Sequence, residues 1–143
     1  MRGGTKLIRE YMNVAITATG FMGAVHAEAL KRLHLNVIGI QGSSPEKSRA
    51  AAAELQIPRS YNDYQDLISD PDVDAIHITT PNRHHFPMAI AGLEAGKHIL
   101  CEKPLAMTSK ESARLSELAS NKELAAGVNY NIRFYPLCLE TRS

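Results

Sequence analysis

A lysine that directly follows an apolar, strand-like run is well placed for acid–base chemistry. The run is "HILCE", residues 98–102, and Lys103 and Pro104 come next. Burial at a strand end lowers the pKa of a lysine partway, and its ammonium can donate a hydrogen bond to a reacting oxygen. The proline restricts the lysine backbone and fixes its direction. We therefore predict that Lys103 is catalytic; the alternative is an ion pair in the loop between Glu102 and Lys103.

A glycine-containing turn near the start of the chain could bind a dinucleotide. "ATGFMG", residues 18–23, links a strand-like run to a helix-like segment. In the fingerprint G-x-G-x-x-G the second glycine lets the backbone approach the pyrophosphate, and the third lets the helix pack on the strand. Gly20 and Gly23 occupy those places, and the helix N-terminus would supply N–H groups. Ala18 replaces the first glycine, which we expect to be tolerated with its backbone in the β region. The alternative is an ordinary tight turn.

The end of the next strand-like run bears on which dinucleotide would bind. NAD sites place an acidic residue roughly 20 residues after the glycine turn, to hold the ribose hydroxyls. Here Gly42 stands at that place, and Ser43 and Ser44 follow. Without a carboxylate a 2′-phosphate is not repelled, and hydroxyls, backbone N–H groups, Lys47 or Arg49 could bind it. This slightly favours NADP over NAD, although Ser44 could simply cap the next helix.

Polar residues follow a further strand-like run, "DAIHITT". Ligands of open α/β sheets bind over the carboxyl ends of the strands. We therefore predict that the residues after this strand line a cofactor cleft; they are Thr79, Thr80, Pro81, Asn82 and His85. His84 is expected to be an exposed loop residue, whereas His26 and His77 are expected to be core histidines with hydrogen-bond partners. Because adjacent histidines on a helix point in different directions, no metal site is predicted.

These residues need a scaffold of strands alternating with helices. The predicted strands are 13–18, 36–41, 57–61, 74–80, 98–102 and 124–130, and the predicted helices are 22–34, 45–55, 63–69, 86–95 and 109–121. Short, nearly continuous apolar strands between helices indicate parallel strands covered on both faces. The sequence thus predicts a doubly wound α/β sheet, a Rossmann-type dinucleotide-binding domain over residues 12–130. Residues 1–11 are predicted to be a disordered extension, and 131–143 the start of a truncated second domain.

Composition excludes several functional classes. The chain has 143 residues, room for one domain with a core, and a net charge of +1. With no basic run longer than two residues, nucleic acid is not an expected partner. The apolar stretches are far shorter than the roughly 20 residues of a membrane span. Cys101 and Cys138 have neither metal-ligand nor disulfide-framework spacing, and we predict a cytoplasmic protein.

Taken together, these segments resemble the Gfo/Idh/MocA oxidoreductases, the relatives of glucose–fructose oxidoreductase and inositol dehydrogenase. The resemblance covers residues 12–137 and is carried by "VAITATGFMGAVHAEAL", "AIHITTPNRHHFPMAIAGLEAGKHILCEKPLA" and "VNYNIRFYP". The E-K-P stretch is its most specific part, supported by N-x-x-H at residues 82–85. It implies an N-terminal dinucleotide-binding domain and a C-terminal α/β domain whose open sheet forms much of the substrate site and commonly the oligomer interface.

The resemblance also implies a reaction, which is hydride exchange between NAD(P) and a carbinol carbon of a sugar, cyclitol or related compound. Lys103 would hold and polarise the reacting hydroxyl, framed by Glu102 and Pro104. The residues implied to contact the cofactor are Gly20, Phe21, Met22, Gly23, Ser43, Thr80, Asn82 and His85. Asn131 and Arg133 would approach cofactor or substrate where the second domain begins.

The sequence departs from the family pattern in two places. Ala18 stands for the usual glycine, and the usual D-x-x-x-H pair is absent, because no Asp or His follows His98. We therefore expect that the C-terminal domain is missing and that this chain binds a cofactor without efficient turnover. The alternatives are a non-catalytic dinucleotide-binding or sensing module, or a subunit whose missing half comes from another chain. A homo-oligomer is a further open alternative.

Overall fold

The computed structural model describes residues 12–142, and in them six parallel strands form one sheet. The strands are β1 Asn13–Thr17, β2 Asn36–Gln41, β3 Arg59–Tyr61, β4 Ala75–Ile78, β5 His98–Glu102 and β6 Ala126–Asn129. Their order is β3-β2-β1-β4-β5-β6, with every neighbouring pair parallel. The predicted doubly wound α/β fold is confirmed. The chain changes direction across the sheet between β1 and β4, the place where such sheets bind ligands.

Six helices connect and follow the strands. They are α1 Phe21–Arg32, α2 Pro45–Glu54, α3 Tyr64–Ser69, α4 His85–Glu94, α5 Ser109–Asn121 and α6 Pro136–Glu140. Side-chain caps set several of the starts, because the first N–H groups of a helix lack partners within it. The Ser44 hydroxyl accepts from the Lys47 N–H before α2, and Thr108 and Glu111 form a reciprocal capping box before α5. None of the helices in residues 12–142 is long and apolar enough to cross a membrane.

Two apolar clusters cover the two faces of the sheet. On one face Val14 and Ile16 of β1 pack with Leu30 of α1 and with the alanines of α2. On the other face Ile76 and Ile78 of β4 pack with residues of α3, α4 and α5. Burial on both faces explains why the central strands are continuous apolar runs rather than alternating ones.

The end of the described chain is rich in exposed apolar side chains. After β6, a 3-10 turn at Asn131–Phe134 leads into α6. The large apolar residues here that are at least half exposed are Tyr130, Ile132, Phe134, Tyr135, Leu137 and Leu139. That residues 131–143 begin a second domain stays a prediction. The predicted disordered extension, residues 1–11, lies outside the described residues.

Candidate functional site

The turn between β1 and α1 has a different backbone from the one predicted at Ala18. Its φ is 75°, in the left-handed region, and its N–H donates to the Gln41 carbonyl at 2.7 Å. The expectation of a β-region backbone at Ala18 is therefore wrong. The tight turn from strand to helix imposes this conformation, which costs an L-residue about 1–2 kcal/mol relative to the right-handed one. The glycine of the usual fingerprint would adopt it without that cost.

Gly20 and Gly23 differ in what surrounds them. A Cβ at Gly23 would lie 2.3 Å from the Ala18 carbonyl oxygen, so α1 can pack against the strand end only with glycine there. A Cβ at Gly20 would meet nothing within 4 Å. Gly23 thus has a packing role within the protein, whereas Gly20 borders open space in front of the helix.

The N-terminus of α1 is suited to an anion. Gly20 is its N-cap with extended backbone, no side chain caps it, and its first turn contains no acidic residue. Phe21, its first residue, is 81% exposed. The N–H groups of the first turn therefore have no side-chain cap, and the positive end of the helix dipole lies beside the exposed Phe21, an arrangement suited to phosphate.

The end of β2 excludes an acidic side chain by packing. Gly42 is buried, and its N–H donates to the Ser48 hydroxyl at 2.8 Å. A Cβ at Gly42 would lie 2.9 Å from the Thr19 Cγ2 and 3.1 Å from the backbone nitrogen of Ser48. The absence of a carboxylate is thus built into this loop. Ser44 caps α2, which is the alternative role that we considered for it from the sequence.

A cleft of about 460 Å³ opens over the carboxyl ends of β1, β2 and β4. Of the residues predicted to bind a cofactor, Ala18, Gly42, Ser43, Thr80 and Pro81 line it. The sequence did not indicate that Gln41, Tyr64, Arg83, His84 and Met88 also line it. Tyr64 and Met88 belong to α3 and α4 and are joined by a hydrogen bond from the Tyr64 hydroxyl to the Met88 carbonyl at 2.7 Å. Only the packing of those two helices brings them to the cleft.

The polar residues after β4 divide between the cleft and the interior. Asn82 is exposed at the start of a 3-10 turn, and the Thr79 hydroxyl donates to the Thr17 carbonyl. His85 is fully buried, with Nδ1 2.6 Å from the Pro104 carbonyl and Nε2 2.7 Å from the Thr80 carbonyl. Its ring therefore does not line the cleft as predicted. Instead it holds the loop after β4 against the loop after β5.

Glu102 and Lys103 lie differently although they are adjacent. The Lys103 side chain is exposed beyond the end of β5, whereas Glu102 is 5% exposed. Glu102 Oε2 accepts from the Lys103 backbone N–H at 3.1 Å, and the Lys103–Pro104 peptide bond is cis. Glu102 thus supports the Lys103 backbone from the interior of the protein, and its expected role in framing the reacting hydroxyl stays a prediction. Within residues 12–142 no ion pair joins Glu102 to the Lys103 ammonium.

A buried polar network surrounds the Glu102 carboxylate. Oε1 lies 3.1 Å from His26 Nε2 and accepts from the Asn129 amide at 2.6 Å. His26 Nδ1 in turn lies 3.0 Å from His77 Nδ1. His26 and His77 are thus core histidines with hydrogen-bond partners, as expected, but the link between them and Glu102 was not foreseen. No local pattern could have shown it, because the members that contact each other lie 27 to 103 residues apart.

The surroundings of this network shift the pKa values of its members. Burial by itself raises the pKa of Glu102, but hydrogen bonds from Asn129, His26 and the Lys103 N–H outweigh it, and the pKa lies below its usual range. Burial, assisted by His26, lowers the pKa of His77 to about 4. Burial and the charge of Glu102 raise the pKa of the Cys101 thiol to about 12. At neutral pH the network therefore contains an ionised Glu102 and a neutral His77.

Two further expectations concern Arg133 and metals. Arg133 lies in the 3-10 turn after β6, with its guanidinium carbon 5.5 Å from the centroid of the Phe134 ring, and it is not among the residues that line the cleft. In the part of the chain that the structure describes, no group of three or more His, Cys, Asp or Glu side chains could hold a metal ion.

Comparisons with known proteins agree with this geometry. A family model described as "Oxidoreductase family, NAD-binding Rossmann fold" (GFO_IDH_MocA) matches residues 12–130. The chain is 35% identical over 134 residues to levoglucosan dehydrogenase of Pseudarthrobacter phenanthrenivorans, covering 87% of this chain and 34% of that one. It is 34% identical over 131 residues to 1,5-anhydro-D-fructose reductase of Ensifer adhaerens, covering 92% and 35%. The chain thus spans about a third of the length of these relatives.

Solved structures show the same similarity. A levoglucosan dehydrogenase in complex with NADH and levoglucosan superposes with a TM-score of 0.80 at 37% identity, over 87% of this chain and 36% of that one. An NAD-binding oxidoreductase from Klebsiella pneumoniae superposes with a TM-score of 0.86 at 30% identity, over 91% and 37%. Each superposition covers most of this chain and little more than a third of the solved one.

Proposed function

Since the chain belongs to the Gfo/Idh/MocA family of oxidoreductases, we propose that it is the dinucleotide-binding part of an NAD(P)-dependent dehydrogenase. The substrate would be a sugar, a cyclitol or a similar polyol, oxidised or reduced at a carbinol carbon. The observation that carries the proposal is the uncapped N-terminus of α1 with open space at Gly20, at the same edge of the sheet as the exposed Lys103. Relatives named for levoglucosan and 1,5-anhydro-D-fructose support the substrate class.

The turn at residues 18–23, which we call the phosphate turn, has a shape and charge suited to a dinucleotide. The pyrophosphate would accept hydrogen bonds from the N–H groups of Phe21, Met22 and Gly23, next to the positive end of α1. Gly20 leaves room for its approach because no atom of residues 12–142 lies within 4 Å of a Cβ there. The adenosine would lie in the cleft between the ends of β2 and β4, near Ser43 and Thr80.

We propose NADP as the preferred dinucleotide. Gly42 contributes no carboxylate, and Ser43 and Arg83 line the cleft with donors that could bind a 2′-phosphate. Lys47, on the first turn of α2, adds positive charge nearby. Arg49 is less suited, since its guanidinium pairs with Glu46 at 3.3 Å. The structure solved with NADH is that of a relative and leaves the preference of this chain to experiment.

Lys103 would act on the reacting oxygen. The nicotinamide, when bound, accepts or supplies the hydride. In the oxidation direction a Lys103 amine would accept the hydroxyl proton, and in reduction its ammonium would return a proton to the carbonyl oxygen. The exposed side chain on a restrained backbone can meet a substrate at the strand end. Because the chain spans about a third of the length of its relatives, we further propose that this part by itself binds the dinucleotide without efficient turnover.

Titration of the chain with NADPH and with NADH, followed by nucleotide fluorescence, tests the proposal. We expect saturable binding of both, with the lower Kd for NADPH. Tighter binding of NADH would overturn the preference for NADP, and no binding of either would overturn the proposed function. AMP and 2′-phospho-AMP as competitors report on the 2′-phosphate alone, independently of the nicotinamide.

A second candidate function is a non-catalytic dinucleotide-sensing module, which would need the uncapped N-terminus of α1 but not Lys103. Incubation with NADP⁺ and either levoglucosan or myo-inositol separates the two readings. Slow formation of NADPH that is lost in Lys103→Ala, with NADPH affinity unchanged, supports an enzyme. Binding of NADPH without measurable oxidation of either compound supports the sensing module.

A further inference from the structure

Three elements of the fold converge on one buried carboxylate. His26 comes from α1, Asn129 from the end of β6, and Glu102 from the end of β5. We propose that His26 and Asn129 are positioning residues, which hold the Glu102 carboxylate in place under the Lys103 backbone and so direct the Lys103 side chain. The inference rests on the proposed function for its purpose, but its contacts stand on their own.

The contacts of the Glu102 carboxylate determine which of the neighbouring atoms donate to it. The Asn129 amide donates to Oε1, and the Lys103 backbone N–H donates to Oε2. The carboxylate can only accept, so His26 Nε2 must carry the hydrogen of its contact with Oε1. In a neutral ring Nδ1 of His26 is then an acceptor, and the hydrogen between the two histidines belongs to His77 Nδ1. With that tautomer each of these four contacts has one donor and one acceptor, and the Asn129 amide also lies 3.3 Å from His26 Nε2.

Burial makes this arrangement rigid. His26 and Glu102 are each 5% exposed, so water cannot replace a donor that is lost. The two imidazoles also meet edge to face, with ring centroids 5.1 Å apart and planes at 86°. His77 therefore limits the tilt of His26, which in turn limits the position of Glu102.

His26 lies between two parts of the site, the N-terminus of α1 and the start of the loop after β5 at Lys103. It lies on α1, roughly one and a half turns after Gly20, on the helix whose N-terminus would bind the pyrophosphate. A displacement of α1 would therefore move the His26 ring, and the hydrogen bond between His26 Nε2 and Glu102 Oε1 would transmit the movement to the carboxylate. Nothing in the fingerprint itself requires a histidine at this point, since its function concerns the phosphate end of the helix.

A pair of substitutions in His26 separates its two contacts. In His26→Gln the side-chain amide can reach the position of Nε2 and donate to Glu102. In His26→Asn the shorter amide reaches only the position of Nδ1, so the contact with His77 is kept and the donor to Glu102 is lost. Asn129→Ala removes the other side-chain donor at a partly exposed position and provides the test independently should His26→Asn fail to fold.

NMR of the chain reads out the carboxylate directly. The groups that face it are His26 from α1, Cys101 and Lys103 from β5 and its loop, and His77 behind His26. The measurement follows the Glu102 carboxyl carbon and the Lys103 amide proton against pH, with Glu102→Gln assigning the signals. His77→Gln, which leaves the donors to Glu102 in place, identifies any contribution of His77.

We expect His26→Asn and Asn129→Ala each to increase the proton affinity of Glu102 about tenfold and to shift the Lys103 amide signal. His26→Gln should restore most of the wild-type titration. An unchanged titration in His26→Asn or Asn129→Ala, or a His26→Gln variant as perturbed as His26→Asn, would overturn the inference. Titration of the wild type and the same variants with NADPH tests the proposed function separately. If the wild-type chain does not bind NADPH, that function is refuted, regardless of how the Glu102 carboxylate titrates.

Discussion

Replacing Gly20 by alanine should separate folding from dinucleotide binding. Among the described residues the new Cβ would meet no atom within 4 Å, and the backbone angles, φ −82° and ψ −172°, suit any L-residue. Alanine is a poorer N-cap than glycine by several tenths of a kcal/mol. It also restricts the unfolded chain, which stabilises by about 0.4–1 kcal/mol. Because these effects oppose each other, we expect the free energy of unfolding to change by no more than about 0.5 kcal/mol.

The effect on binding should be much larger. The added methyl group lies where the backbone must approach the pyrophosphate. Inserting a methyl into a close contact costs about 1–3 kcal/mol. Since 1.4 kcal/mol corresponds to a tenfold change in Kd, the affinity for NADPH should fall about 5- to 150-fold.

Gly23→Ala is the matched control, with the opposite expectation. Its Cβ would lie 2.3 Å from the Ala18 carbonyl oxygen, so strand or helix must shift even without a ligand. We expect the free energy of unfolding to fall by about 1–3 kcal/mol. Urea unfolding and NADPH fluorescence titration of both variants provide the two measurements. If Gly20→Ala binds NADPH as tightly as the wild type, or if Gly23→Ala is as stable, the assigned roles of the two glycines are refuted.

Three further changes test the packing around the site. Ala18→Gly should raise the free energy of unfolding by about 0.5 kcal/mol in urea, because glycine relieves the cost of a φ of 75°; a loss of stability would contradict this. The pKa of His77 is lowered in the folded chain, so between pH 6.5 and 4 the His77 ring binds a proton in the unfolded chain but not in the folded one. The free energy of unfolding should therefore be highest above pH 6.5 and decrease as the pH falls towards 4. His77→Gln should therefore remove up to about 3 kcal/mol of that pH dependence, whereas an unchanged slope in urea unfolding between pH 7 and 4 would exclude it. Tyr64→Phe should lower stability by about 1 kcal/mol through loss of the bond to the Met88 carbonyl, and thermal unfolding that matches the wild type would argue against that bond.

Much of the fold could be predicted because each strand is a short apolar run between helix signals. β2, β5 and α5 have the predicted bounds, and the parallel arrangement follows from burial on both faces. β4 ends at Ile78, two residues early, although the Thr79 N–H still donates to the Thr17 carbonyl of β1 at 3.2 Å. Strand ends are hard to place because polar residues occur on both sides of them.

The site was harder to predict, because the direction of a side chain at a strand end depends on distant elements. Glu102 and His85 have the residue types of a polar cleft, yet both point inward, towards partners that no local pattern identifies. The backbone of Ala18 was mispredicted for a related reason. The geometry of the turn prevails over the preference of the residue, at a cost that the rest of the fold offsets.

The packing around Gly42 also limits how this protein could change its cofactor over evolutionary time. Gaining an acid at position 42 would bring a Cβ to 2.9 Å from Thr19, a residue of the phosphate turn. The two positions are therefore epistatic, and the order of substitutions matters. A lineage that first replaced Thr19 by serine or glycine would remove the closest contact of an acidic residue at position 42 and leave only the 3.1 Å approach to the Ser48 nitrogen and the 3.2 Å approach to the Lys47 Cβ. A lineage that began at position 42 would pass through a destabilised intermediate.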